Sequence, residues 1–250
     1  RIGMNQSAED VLVLNADDKA VWSLAEAASA TVWGFSLDRP QERGAWIEGD
    51  RVVVRRGADA SPEFLVPVSE VALPGRHNLA NALAAAVAAL NCGVAPVRIR
   101  EGLRAFAGVE HRLERAAVIG GVPYVNDSKA TNIASLEVAL LSFETPIVLL
   151  AGGRGKGAPY GPLAPLVARK VRRLIVFGED AERLEAAFGA HVETDRVADL
   201  GEAVARANAV ARPGETVLLS PACASFDQYR NYEEPGRHFK NLVLQLARNS

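Results

Sequence analysis

Short apolar runs alternate along this chain with stretches whose apolar residues recur at helical spacing. Residues 11–14 (Val-Leu-Val-Leu) form an apolar run that ends in Asn15-Ala16-Asp17-Asp18, which predicts a buried parallel strand followed by a helix N-cap. Residues 19–30 then place Val21, Trp22, Leu24, Ala25 and Ala28 on a helical stripe, and residues 31–35 predict a second strand. Trp46-Ile47 and residues 52–54 flank Gly49-Asp50, a hairpin signal. Residues 64–68 predict a further strand, which Pro67 places near a sheet edge. Residues 76–90 and 96–107 predict helices separated by Asn91-Cys92-Gly93, a helix stop.

The pattern changes after Gly108. Residues 115–119 and 122–125 predict a hairpin across Gly120-Gly121. Helices are then expected at 133–141, 163–168, 181–188 and 200–210, with a last one reaching Leu246. Strands are expected at 147–150, 174–177, near 191–193 and at 217–219. Such alternation implies a parallel sheet covered on both faces. A boundary near residues 108–110 therefore divides the chain into 1–109 and 110–250, both of α/β class.

Composition narrows the class. The chain has 250 residues, 49% hydrophobic and 23% charged, as expected of a globular protein of one large or two ordinary domains. A net charge of -2 gives no footprint for nucleic acid or a membrane surface. The longest apolar stretch, around residues 79–90, is Ala-rich, broken by Asn81, and too short to span a bilayer. Two distant cysteines, Cys92 and Cys223, fit a reducing compartment such as the cytoplasm. The first residue is Arg1, and a piece of a longer protein is expected.

Four segments have the make-up of ligand loops. Ser220-Pro221-Ala222-Cys223-Ala224-Ser225 follows a strand-like run, where small residues let backbone N–H groups approach an anion and Ser225 offers a hydroxyl. Asn126-Asp127-Ser128-Lys129-Ala130-Thr131-Asn132 lies at a strand-to-helix junction: Lys129 offers a point charge for phosphate, Asp127 an acceptor for ribose hydroxyls, and Thr131 or Asn132 a helix cap. Capping and a solvated lysine would also account for the whole segment. Gly152-Gly153-Arg154-Gly155-Lys156-Gly157 follows another strand. It fails the Walker pattern, with Leu150 and Gly157 at two required positions. Gly153, Gly155 and Ala158 satisfy a dinucleotide pattern, yet Pro159 and Pro162 interrupt the helix that should follow. A purely structural turn is the alternative, and Lys156 favours an anion. Lastly, Asn78 and Asn81 share one face of an Ala-rich helix beginning at Arg76-His77, which suits a ligand such as adenine, with capping as the rival. His111-Arg112, at the expected boundary, could pair with phosphate or stack on a base, or serve as a surface ion pair.

The remaining chemistry is thin. The four histidines show no metal-ligand spacing, so no metal site is expected in this chain. Cys223 reads as packing, Asp17-Asp18 as capping, and Arg230, Tyr232, Arg237 and Lys240 as an exposed helix face, with Tyr232 able to wall a pocket beside Ser225.

Together these residues resemble the Mur ligases, most closely the members that add D-glutamate. The resemblance rests on residues 13–18, Gly75-Arg76-His77-Asn78 with Asn81-Ala82, His111-Arg112-Leu113-Glu114, residues 126–132, Gly152-Gly153 with Lys156, and residues 218–228 followed by Tyr232 and Glu233. It covers essentially the whole chain. It implies the latter half of a central ATPase-like α/β domain in 1–109 and a Rossmann-like, doubly wound C-terminal domain binding D-glutamate in 110–250. The implied reaction is ATP-dependent amide ligation in peptidoglycan synthesis, joining D-glutamate to UDP-MurNAc-L-alanine through an acyl phosphate, with Mg2+ required and a monomer expected. By position, Asn78, Asn81, Arg112 and Asp127 would contact ATP. Lys129 would face the phosphates and act with Lys156 in catalysis. Thr131, Lys156, Ser225, Phe226 and Tyr232 would hold D-glutamate. The family often has Leu at the Phe226 position and Phe at the Tyr232 position. The P-loop and the magnesium ligands of the family have no match here, so this chain alone is expected to be inactive. Rival readings are an NAD(P)-dependent oxidoreductase, resting on the Gly153/Gly155/Ala158 pattern and Glu179-Asp180, a folylpolyglutamate synthase, and a non-catalytic ligand-binding module.

Overall fold

In the computed structural model, residues 3–73, 75–224 and 229–249 are described, with the backbone alone at 249. The chain divides into two compact units, Arg1–Ala107 and Gly108–Ser250.

The first unit is a mixed five-stranded sheet in the order β1-β2-β3-β4-β5. Its strands are β1 Val11–Asn15, β2 Thr31–Ser36, β3 Gly44–Glu48, β4 Arg51–Arg55 and β5 Glu63–Pro67. The first three run parallel, and the last two join by antiparallel pairing. The Gly49-Asp50 hairpin and the edge position of the Pro67 strand agree with the sequence pattern. Alternate residues of β1 face opposite ways: Leu12 and Leu14 pack with Val21 and Trp22, whereas Val11 and Val13 pack against Leu83, Val87 and Leu90. The latter belong to α2 (Arg76–Asn91), which Gly93 terminates at φ 79°, before α3 (Pro96–Ala105) begins on its proline. One expectation needs correction. The helix expected over 19–30 is a single turn, α1 (Lys19–Trp22), followed by a 3-10 segment, Ser23–Ala27. Asp18 does cap it, but the Ser23 hydroxyl donates to the Ala20 carbonyl and competes with the helical ladder.

The second unit is a doubly wound α/β domain. Its sheet has the order β10-β9-β8-β11-β7-β6 and is parallel except for the β6/β7 hairpin. The strands are β6 Glu114–Ile119, β7 Val122–Asn126, β8 Ile147–Gly152, β9 Val171–Phe177, β10 Glu193–Arg196 and β11 Thr216–Leu219. On one face, α4 (Ile133–Leu141), α5 (Ala164–Lys170) and α6 (Ala181–Phe188) bury Leu136, Val167, Leu184 and Phe188 against Ile147, Leu149 and Leu174. On the other, α7 (Leu200–Val210) and α8 (Glu233–Asn249) bury Val204, Phe239 and Val243 against Val148, Leu150, Ile175 and Val217. Burial of both faces explains why these strands are continuously apolar rather than alternating. From β8 the chain winds outward through β9 to β10, then returns by α7 to set β11 on the other side of β8. The winding reverses there, the kind of position at which open α/β sheets take ligands, beyond the carboxyl ends of their strands.

Candidate functional site

Three loops leave the sheet at this reversal, after β7, β8 and β11, and backbone hydrogen bonds join them into one rim. Asp127 N–H donates to the Leu219 carbonyl at 2.8 Å, and Ala222 N–H donates to the Ala130 carbonyl at 2.9 Å. Gly152 N–H donates to the Pro221 carbonyl at 3.0 Å. Arg154 and Ala224 exchange two bonds, at 2.7 and 2.9 Å, as a short antiparallel bridge. Ala222 reaches its place with φ 60°, a left-handed conformation unusual for alanine and of the kind that gathers at ligand loops.

The rim carries much of the chemistry expected from the sequence. Thr131, half-buried, adjoins the bonded Ala130, and Lys156, exposed, lies two residues past the Arg154 bridge. Lys129 is exposed and stands with its ammonium 5.5 Å from the centre of the Tyr232 ring, a cation–π contact. Asn132 is the cap of α4, accepting from Ser135 N–H at 2.9 Å, which leaves Thr131 uncommitted to capping. Ser225 and Phe226 lie outside the described residues. Asn78 and Asn81 lie in α2 of the first unit, inside the helix whose N-cap position is Gly75.

Asp127 is buried, with 4% exposure, and each carboxylate oxygen already accepts: Oδ2 from Ser220 Oγ at 3.0 Å and Oδ1 from Leu113 N–H at 3.2 Å. Burial pushes its carboxyl up to about 7, against the two hydrogen bonds and the Arg112 charge, which pull it down. The oxygens retain further acceptor capacity for a hydroxyl. Arg112 is exposed on a turn in which His111 (φ 68°) and Leu113 (φ 46°) are both left-handed. Glu114 holds that turn through His111 N–H at 2.9 Å and through Asn126, whose amide donates to Glu114 Oε2 at 3.1 Å.

Sequence reasoning missed the charges beneath this turn. Glu110, His111 and Glu114 bring their ligand atoms within 4.8 Å of one another, although no metal-ligand spacing is visible in the chain. The grouping does not suit a metal ion. Lys240 Nζ sits on Glu110 Oε1 at 2.7 Å and on Glu114 Oε1 at 2.9 Å, so an ammonium already bridges the two carboxylates, offsets one of their charges and would repel a second cation. The expected exposed face of α8 is corrected accordingly: Lys240 is turned into this cluster, with its side chain 22% exposed. Charge attraction across more than a hundred residues overrides the helix-face pattern.

The glycine run has a structural explanation at most of its positions. A Cβ on Gly152 would lie 1.9 Å from the Phe177 carbonyl oxygen, one on Gly153 2.5 Å from the Ala224 carbonyl oxygen, and one on Gly155 1.9 Å from Asp180 Oδ2. The loop continues to Tyr160 before a 3-10 turn (Gly161–Leu163) and α5, so no helix N-terminus follows the glycines directly. A dinucleotide reading lacks the helix on which a pyrophosphate would rest.

Residues 1–89 match the Mur ligase middle domain, and residues 111–223 match the Mur ligase glutamate ligase domain. The chain is 48% identical over 247 residues to a UDP-N-acetylmuramoylalanine--D-glutamate ligase of Symbiobacterium thermophilum, covering 97% of this chain and 54% of the relative. It is 45% identical over 250 residues to the enzyme of the same name from Myxococcus xanthus, covering 98% of this chain and 54% of that one. The chain thus spans about half the length of the curated relatives it matches. Its fold is shared with MurF of Acinetobacter baumannii, at a TM-score of 0.64 and 18% identity, over 92% of this chain and 52% of that structure.

Proposed function

The chain belongs to the Mur ligase family, whose members form amide bonds, and from that premise we propose that it is the ATP- and amino-acid-handling part of a ligase that joins D-glutamate to UDP-MurNAc-L-alanine. The setting is peptidoglycan synthesis in the cytoplasm. One observation carries the reading: the loops after β7, β8 and β11 are hydrogen-bonded into a single rim at the sheet's winding reversal, and that rim bears Lys129, Thr131 and Lys156.

A carboxylate is a poor electrophile, so the acid is first converted into an acyl phosphate, and the amine of D-glutamate displaces the phosphate. Both steps build negative charge that fixed cations and main-chain donors stabilise. Lys129, braced by the Tyr232 ring, is suited to the phosphates. Lys156 and Thr131 are suited to the carboxylates of D-glutamate, with Ser225, Phe226 and Tyr232 completing the subsite. Asn78, Asn81, Arg112 and Asp127 are each assigned to the nucleotide on the family resemblance. Mg2+ accompanies ATP in such ligases, and the one described acidic grouping, held by Lys240, does not fit it.

The test is phosphate release by the full-length protein supplied with ATP, UDP-MurNAc-L-alanine and an amino acid. Release should require D-glutamate and ignore L-glutamate, and Lys156→Ala should raise the KM for D-glutamate at least tenfold, the loss of about 1.4 kcal/mol of binding. The 250-residue chain alone should release none. Turnover with L-glutamate at the same rate would overturn the assignment.

A further inference from the structure

We propose that Tyr160 is a positioning residue for the amino-acid subsite, its hydroxyl clamping the β8 loop to residues 223–224 of the β11 loop so that Lys156 is held in place. The proposal rests on the function proposed above, although Tyr160 belongs to none of the residues assigned there.

The clamp is buried and its geometry is complete. Tyr160 is 5% exposed, Asp180 9% and Cys223 0%. Tyr160 Oη lies 2.7 Å from Asp180 Oδ2 and 3.0 Å from Cys223 Sγ. The phenol has one proton. Asp180 can only accept, so that proton goes to Asp180 and the thiol donates to the phenolic oxygen. Burial, reinforced by Cys223 and Asp180, pushes the phenol well above its usual range, so it stays protonated. Arg183 Nη1 donates to the same Asp180 oxygen at 2.7 Å. Asp180 also anchors the start of the loop, because its backbone N–H donates to the Gly153 carbonyl at 2.9 Å.

These bonds close a ring: Gly153 to Asp180, Asp180 to Tyr160, Tyr160 to Cys223, and Cys223 through Ala224 back to Arg154. Lys156 lies inside the loop that the ring encloses, and Ser225 lies two residues past Cys223. The hydroxyl is not there for packing. The Tyr160 ring packs edge-on to Phe188 at 6.3 Å and under the Arg183 guanidinium at 5.4 Å, and a phenylalanine would keep both contacts. What a phenylalanine loses is the link between the two loops. Gly155 shows how tightly that link closes, since a Cβ there would meet both Asp180 Oδ2 and Tyr160 Oη, at 1.9 and 2.8 Å.

The experiment compares full-length wild type, Tyr160→Phe and Cys223→Ala in D-glutamate-dependent phosphate release, and follows alkylation of Cys223 by iodoacetamide in wild type and Tyr160→Phe, read peptide by peptide with exposed Cys92 as the internal control. Tyr160→Phe should raise the KM for D-glutamate roughly three- to tenfold, the worth of one buried hydrogen bond, with kcat and the KM for ATP within about twofold. It should also speed alkylation of Cys223 relative to Cys92. A KM for D-glutamate unchanged in Tyr160→Phe, or a KM for ATP raised by the same factor, would overturn the clamp. Should Tyr160→Phe fail to fold, Cys223→Ala decides: a raised KM for D-glutamate supports the clamp, and an unchanged one removes it. A wild-type enzyme indifferent to D-glutamate would sink the functional reading instead, and unaltered alkylation of Cys223 in Tyr160→Phe would then still sink the clamp.

Discussion

Gly236, in the first turn of α8, stands so close to His111 that a Cβ at this position would lie 2.2 Å from the imidazole Nδ1 and 2.4 Å from Ser128 Oγ. The helix therefore packs its backbone directly on the turn that displays Arg112. His111 is 3% exposed and its Nδ1 is 3.0 Å from the Asn126 amide nitrogen, so the ring has nowhere to retreat.

Alanine ordinarily stabilises a helix interior over glycine by about 1 kcal/mol. Here the sign should reverse. Gly236→Ala is expected to destabilise the protein by about 1–3 kcal/mol, the usual cost of overpacking. Urea unfolding followed by circular dichroism measures it, and a stabilised variant would refute the close approach.

Asp127 gives a pH signature. Its carboxyl is raised to about 7 in the folded protein, from an ordinary 3.8. Between those values the folded state binds the proton that the unfolded state has lost. Its contribution to stability is therefore complete below pH 4 and falls as pH rises to 7, by up to about 4 kcal/mol at 1.36 kcal/mol per unit. Asp127→Asn keeps one acceptor, for Leu113 N–H, and reverses the Ser220 contact by donating its amide to Ser220 Oγ, but it cannot ionise. The wild-type protein should be the less stable of the two at pH 8, and the gap should narrow toward pH 5. A gap that does not change with pH would contradict the burial argument.

Lys240 tests the charge cluster. Burial alone would lower its pKa, but Glu110 and Glu114 hold it above its ordinary range. Glu114 is lowered despite its own burial, because His111 N–H and Lys240 favour the carboxylate. Lys240→Met leaves a half-buried carboxylate without its cation and should destabilise by about 1–2 kcal/mol, between the values for exposed and buried pairs. Lys240→Met combined with Glu114→Gln should recover part of that loss in thermal unfolding. A double variant no more stable than Lys240→Met would separate the two residues.

Two neighbouring glycines should behave differently. Gly157 is left-handed at φ 82°, with nothing within 4 Å of its would-be Cβ, so Gly157→Ala should cost only the backbone strain, about 1–2 kcal/mol. Gly155→Ala drives a methyl group into Asp180 and Tyr160 and should cost more in thermal stability, by at least about 1 kcal/mol beyond the Gly157 change. Equal losses would mean that the loop gives way rather than the clamp.

The site was legible in the sequence where chemistry and connectivity coincide. Lys129 and Thr131 follow β7, Lys156 follows β8, and residues 220–224 follow β11; residue type, strand and turn signals place each at a strand's carboxyl end. Tyr160 and Gly236 gave no signal, Asp180 was legible only within the acidic pair Glu179-Asp180, and Lys240 only as an exposed helix face. Each acts through a partner distant in the chain: Tyr160 through Cys223, 63 residues on, and Lys240 through Glu114, 126 residues back. The glycines after β8 carried a signal with two meanings, ligand approach or chain approach. Only the positions of Phe177, Ala224 and Asp180 show that the chain itself fills the space.

The order of apolar runs and helical stripes in the sequence determined the α/β class, a change of pattern near residues 108–110 and most element bounds, because period and turn chemistry are local properties of the chain. It did not determine the length of α1, where one serine hydroxyl captured a carbonyl. Nor did it determine which loops meet. The placing of β11 between β8 and β7 decided that, because burying both faces of the sheet brings strands remote in sequence side by side and their carboxyl-end loops into one rim.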